Sequence, residues 1–136
     1  MKMNKVAIKF GLIIILFGNI FSSCKTPEIY IYMTPEFKEK EKRLRFSLEE
    51  ASNICRDYIN KNNIKTENGY YSLDIIYDEN YIFRTYYEPH NFKSGNYNLS
   101  GIWINGNTGK IKEVKGNKYI KVIFRLGQFH TYTRKY

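Results

Sequence analysis

Ser47-Leu48-Glu49-Glu50-Ala51-Ser52-Asn53-Ile54-Cys55-Arg56-Asp57-Tyr58-Ile59-Asn60 carries its apolar residues, Leu48, Ala51, Ile54, Cys55, Tyr58 and Ile59, at spacings of three and four. Side chains so spaced share one helical face, so the stretch predicts an amphipathic helix with Glu49, Asn53, Arg56, Asp57 and Asn60 directed outward. Ser47 and Glu50 stand at the spacing of a capping box, in which hydroxyl and carboxylate each satisfy an exposed backbone donor. The helix is expected to stop within residues 60–63, where Asn tolerates the left-handed conformation, with Ile64 packing back on the last turn.

After Gly69 the period changes to two. Tyr71, Leu73, Ile75 and Tyr77 fall on one face of an extended segment, Asp78-Glu79-Asn80 turns, and residues 81–87 return, which predicts a hairpin. Residues 88–98 form an irregular loop with Pro89, Gly95 and three asparagines, and residues 99–104 resume a strand that holds the only Trp. Asn105-Gly106-Asn107-Thr108-Gly109 is the strongest turn signal in the chain, because Asn and Gly accept the positive φ of tight turns. Strands over 111–115 and 119–126 follow, separated by Gly116-Asn117. The expected architecture is α+β, with one amphipathic helix packed on an antiparallel sheet of about four to five strands over residues 46–136.

Working outward to the N-terminus, Lys2, Lys5 and Lys9 supply a positive n-region, residues 6–20 an apolar stretch, and Phe21-Ser22-Ser23-Cys24 follows. This pattern resembles a bacterial lipoprotein signal ending in a lipobox. The resemblance implies a signal peptide over 1–23, lipidation of Cys24, and a membrane-anchored place in the cell envelope, outer membrane or periplasm-facing. Lys25 permits an outer-membrane destination. Two other readings stand beside it. Residues 11–21 are short for a transmembrane helix, which needs about 20 apolar residues. An ordinary secretory cleavage near Ser23 would leave a free thiol at the new N-terminus. Residues 24–45 read as the lipidated cysteine and a tether, broken by Thr26-Pro27 and Thr34-Pro35 and charged over 36–45. Ile29, Tyr30, Ile31 and Tyr32 are costly in a plain linker, which points to an extra strand or to the lipid interface.

Composition narrows the function classes. Without the three leader lysines, the 113-residue mature chain has 19 basic and 13 acidic groups, so the net charge of +9 falls to +6. That length suits one domain. The scattered Lys and Arg argue against nucleic acid as a partner. With Cys24 lipidated, Cys55 has no intramolecular disulfide partner, and its place on the apolar helix face reads as a small buried hydrophobe. Ser94, Ser100, Cys55, His90 and His130 lack any nucleophile motif, and Asp74, Asp78 and Glu79 read as strand-end and turn residues. Glu88 with His90 would leave a metal underliganded. The expectation is a protein that is not an enzyme and holds neither metal nor cofactor.

The helix followed by strands, closing with Gly101-Ile102-Trp103-Ile104-Asn105 and Asn107-Thr108-Gly109-Lys110-Ile111, is similar to PepSY-type domains and to immunity proteins with a nuclear-transport-factor-like fold. The resemblance covers roughly residues 47–115. It implies a binding or inhibitory module that restrains a partner protein, and it carries over no catalytic residue. Thirteen Tyr and nine Phe agree with a half-buried sheet. Tyr86, Tyr87, His90, Phe92 and Tyr97 crowd the long loop, however, and aromatics on a loop held by a rigid sheet are what recognition surfaces use. Tyr87, His90, Phe92 and Tyr97 are therefore the candidate partner-binding residues, with the basic tail 128–136 as a second surface. The expected function is an envelope lipoprotein with a non-catalytic protein-binding or inhibitory domain and a protein partner in the envelope. The second reading is a structural lipoprotein within a larger assembly.

Overall fold

The Ser47 hydroxyl accepts from the Glu50 N–H at 3.2 Å, and the Glu50 carboxylate accepts from the Ser47 N–H at 3.3 Å, so the capping box forms. The computed structural model describes residues 26–86, 95–116, 118–123 and 130–135. The elements in chain order are β1 (Ile29–Ile31), α1 (Pro35–Arg43), α2 (Leu48–Lys61), β2 (Tyr70–Tyr77), β3 (Asn80–Arg84), β4 (Asn96–Asn98), β5 (Gly101–Asn105), β6 (Ile111–Val114), β7 (Tyr119–Lys121) and β8 (Tyr132–Lys135). The fold is α+β, with two helices on an antiparallel sheet. At the end of α2, Asn63 takes φ 49° and the Ile64 N–H donates to the Ile59 carbonyl at 3.1 Å, as the asparagine-rich stop predicts.

Among the described residues the main sheet has six strands, ordered β1-β2-β3-β5-β6, with β8 also paired to β2. β1 lies opposite Ile75 to Tyr77 and β8 opposite Tyr70 to Leu73, so the two short strands share one edge of β2 end to end. β4 and β7 form a separate two-stranded sheet. The strand count therefore exceeds the four to five expected, and part of the basic tail is an edge strand.

Residues 24–45 do not behave as a tether throughout. Thr34 caps α1 by accepting from the Phe37 N–H at 3.3 Å, Pro35 fills the first turn where its missing donor costs nothing, and Phe37 is buried. Tyr32 meets the Phe37 ring edge-on at 5.4 Å. The Glu41 carboxylate accepts from the Leu48 N–H at 2.7 Å, which places negative charge at the N-terminus of α2. The folded unit thus starts at Ile29 rather than at residue 46. The strand alternative for Ile29 to Tyr32 is the one that holds for Ile29–Ile31, because β1 covers the edge of β2.

Both faces of the sheet are buried. Phe37, Ala51, Cys55, Ile59, Tyr71, Leu73, Ile76, Tyr81, Phe83, Ile102 and Ile104 pack together on the helix side. Ile75, Ile82, Tyr97, Leu99, Trp103 and Val122 form a second cluster, to which β4 supplies Tyr97. Strict alternation along β2 fails at one place. Leu73 pairs with Phe83 but Ile76 pairs with Tyr81, so Asp74 and Ile75 together oppose Ile82 in a β-bulge. Ile75 and Tyr77 consequently belong with the second cluster and Tyr71 and Leu73 with the first, which corrects the expectation of one shared face. Gly101 opens β5 at φ 147°, and a Cβ there would sit 2.2 Å from the Phe83 carbonyl oxygen. Only glycine fits this approach of two strands, and it separates β5 from Leu99 and Ser100.

Candidate functional site

The strand directions give the sheet two distinct ends. At one lie Glu28, the Asp78-Glu79 turn and Gly106, joined by hydrogen bonds from the Asp78 N–H to the Glu28 carbonyl and from the Gly106 N–H to the Glu79 carbonyl, both 2.7 Å. At the other, the Glu67 N–H donates to the Thr85 carbonyl at 2.8 Å and the Tyr58 hydroxyl to Glu113 at 2.8 Å. The eight residues of β2 separate these ends by about 26 Å at about 3.3 Å per residue. The chain leaves β3 for the long loop at the end opposite Glu28.

The bulge in β2 places Asp74 inside the protein. Asp74 is fully buried and pairs with the guanidinium of Arg84, which is 5% exposed. Its carboxylate also accepts from the Tyr97 hydroxyl at 2.7 Å and from the Thr131 hydroxyl at 2.5 Å. Arg84 lies over the Tyr97 ring, 5.1 Å from its centroid. Three donors on one carboxylate keep the buried charge solvated by protein dipoles. The cluster ties β2, β3, β4 and the approach to β8 together, so its chemistry is structural pinning.

Burial, reinforced by the Asp74 charge, holds the Tyr97 hydroxyl well above its ordinary 10.0, and burial also raises Tyr81 and Tyr71. A tyrosine with a raised folded-state value contributes stability that is whole below the unfolded value and is lost as pH rises through the folded one. The expected result is a cooperative alkaline unfolding above about pH 10, in which these tyrosinates appear together with loss of the native Trp103 fluorescence. Complete tyrosine ionisation with an intact fluorescence signal would contradict it.

At the end of the sheet where β3 stops, a cleft of about 230 Å³ opens between Ile64 after α2 and the tops of β5 and β6. Tyr86, Ser100 and Ile102 line it from one side and Glu113 and Lys115 from the other, and the Tyr86 and Ser100 hydroxyls are hydrogen-bonded to each other. Beside it, β6 is the outermost strand of the sheet among the described residues, with Ile111, Lys112 and Glu113 exposed. On the opposite face, Lys112 and Lys118 both bring their ammonium groups 5.6 Å from the centroid of Trp103. Trp103 itself is 7% exposed and donates its indole N–H to the Leu99 carbonyl at 2.8 Å. This cluster escaped sequence reasoning, since Lys112 reaches Trp103 only through the β5 to β6 register.

Of the four residues expected to bind a partner, Tyr87, His90 and Phe92 lie outside the described residues, as does Cys24. Tyr97 is described and is 1% exposed, with its hydroxyl spent on Asp74. It is a core residue rather than a contact residue, because the β4 to β7 pair folds it under the sheet. Cys55 is fully buried and burial pushes its thiol upward, so it stays protonated. His130 is exposed. Among the described residues no three His, Cys, Asp or Glu side chains converge as metal ligands, and no helix is long and apolar enough to cross a membrane. The fold and site define a small α+β domain with a pinned core, a cleft and an open basic edge at one side. Comparison with protein-family models, with curated proteins and with solved structures finds no match.

Proposed function

We propose that the protein is an envelope lipoprotein, anchored through Cys24, whose domain binds another protein without catalysing a reaction. The observation that carries this reading is the lipobox-like Phe21-Ser22-Ser23-Cys24 set only four residues before β1. The five steps from Cys24 to Ile29 span at most about 18 Å. A lipid on Cys24 therefore keeps Glu28 and the Asp78-Glu79 turn close to the membrane, and the cleft at the opposite end of the sheet faces away from it. Each buried methylene contributes about 0.8 kcal/mol, so two or three acyl chains hold the domain at the surface for good.

Mass spectrometry of the protein from its native membrane fraction tests the anchor. The expected product begins at Cys24 and carries acyl chains, and Cys24→Ser is neither cleaved nor acylated. An uncleaved, unacylated wild-type chain overturns the anchor and with it the orientation.

A further inference from the structure

Among the described residues, β6 combines an unpaired backbone edge with two cations that form no ion pair. The Asn105 N–H donates to the Lys110 carbonyl at 2.9 Å at the mouth of the hairpin. By the alternation of an antiparallel ladder, Lys112 and Val114 turn their backbone groups toward Trp103 and Gly101, while Ile111 and Glu113 turn theirs outward. Among the described residues no strand pairs with that edge. Lys112 and Lys118 share the ring of Trp103, and among the described residues neither forms an ion pair with a carboxylate. Lys110 and Lys115 extend the positive charge to both ends of the strand.

We propose that the outer edge of β6 accepts an extended acidic segment of a partner polypeptide as an added antiparallel strand, with carboxylates set against Lys112 and Lys118. Main-chain hydrogen bonds to Ile111 and Glu113 supply the affinity, and alternate side chains supply the specificity. On the Trp103 face an acidic side chain meets two ammonium groups. On the helix face an apolar side chain lies along Ile111, which is 39% exposed, and the next one reaches the cleft at Ile102. A second copy of this chain is the wrong occupant. Continuing the sheet requires residues of the same face to stand opposite each other, and the two registers that overlap three of the four β6 residues set Lys112 against Lys112 or Glu113 against Glu113.

This inference rests on the protein-binding reading and gives that reading its site. The test uses the full chain purified in detergent and a labelled hexapeptide of alternating Glu and Val. Alternating Lys and Val, and alternating Glu and Pro, are the controls. The Glu and Val peptide is expected to bind and to slow hydrogen exchange at the Ile111 and Glu113 amides. Lys112→Glu combined with Lys118→Glu is expected to weaken it about tenfold or more with an unchanged melting temperature. Ile111→Pro removes an outward donor without breaking the ladder to β5, and is expected to weaken it comparably. Equal binding of the Glu and Pro peptide, or unchanged exchange at the two amides, overturns the proposal. So does slow exchange there before any peptide is added, since the chain would then cover its own edge. Peptide binding is read without regard to the acyl chains, so its failure and a failure of the anchor are separate results. A protein partner that binds while leaving the two amides unprotected removes this edge and leaves the protein-binding reading standing.

Discussion

Asp74→Ala is expected to lower the unfolding free energy by about 3–5 kcal/mol, the usual cost of leaving one partner of a buried ion pair uncompensated. Asp74 is fully buried and Arg84 is 5% exposed, so water cannot take over the lost carboxylate. The Tyr97 and Thr131 hydroxyls lose their acceptor at the same time. Small domains have about 5–15 kcal/mol in total, so the variant should be folded only marginally. Urea unfolding followed through Trp103, the only tryptophan, measures it. Asp74→Leu with Arg84→Met removes both charges and is expected to recover more than half of the loss, because buried pairs replaced by apolar groups are often near neutral. A loss below about 1 kcal/mol from Asp74→Ala would mean a solvated surface-like pair and would remove the cluster as the pin of the sheet.

Phe37→Ala is expected to cost about 3–5 kcal/mol, the range for deleting a buried Phe side chain. Phe37 is 2% exposed, packs edge-on against Tyr32 and belongs to the helix-side core. The same unfolding measurement decides whether residues 29–44 are fold or stalk. In a solvated stalk the substitution is nearly neutral, and a change under about 0.5 kcal/mol would restore the tether reading. The outcome matters for placement as well as stability. A stalk of about 21 residues would let the domain range several nanometres from Cys24, whereas a chain folded from Ile29 holds it five residues from the anchor.

Much of the fold was legible because its signals are local. The capping box at Ser47 and Glu50, the helical period through Ile59 and the asparagine stop all involve residues within one or two turns of each other, and all three form. The Asn105 turn was legible for the same reason, since its carboxamide accepts from the Asn107 and Thr108 N–H groups and Gly109 takes φ 72°. α1 was hidden by composition. Its nine residues hold one large apolar side chain, so periodicity carries no signal, and its burial depends on where Phe37 meets the sheet.

The candidate site was less legible than the fold. In the sequence Tyr97 stands among the aromatics of a loop, but the pairing of β4 with β7 turns it inward to Asp74. Unbroken alternation through β2 makes Asp74 a strand-end residue, and the shift of register after Leu73 has no local signal in the sequence. Thus the amino-acid sequence by itself determined the α+β class, the helix α2 with its caps, the hairpin turns and the apolar supply for a sheet, since each follows from backbone and side-chain preferences over a few residues. Only the tertiary structure decided that a bulge carries Asp74 to Arg84, that β1 and β8 share one edge of β2, and that Lys112 and Lys118 meet over Trp103. Those are matters of register between strands distant in the chain, and register is set by how two buried faces are filled at once.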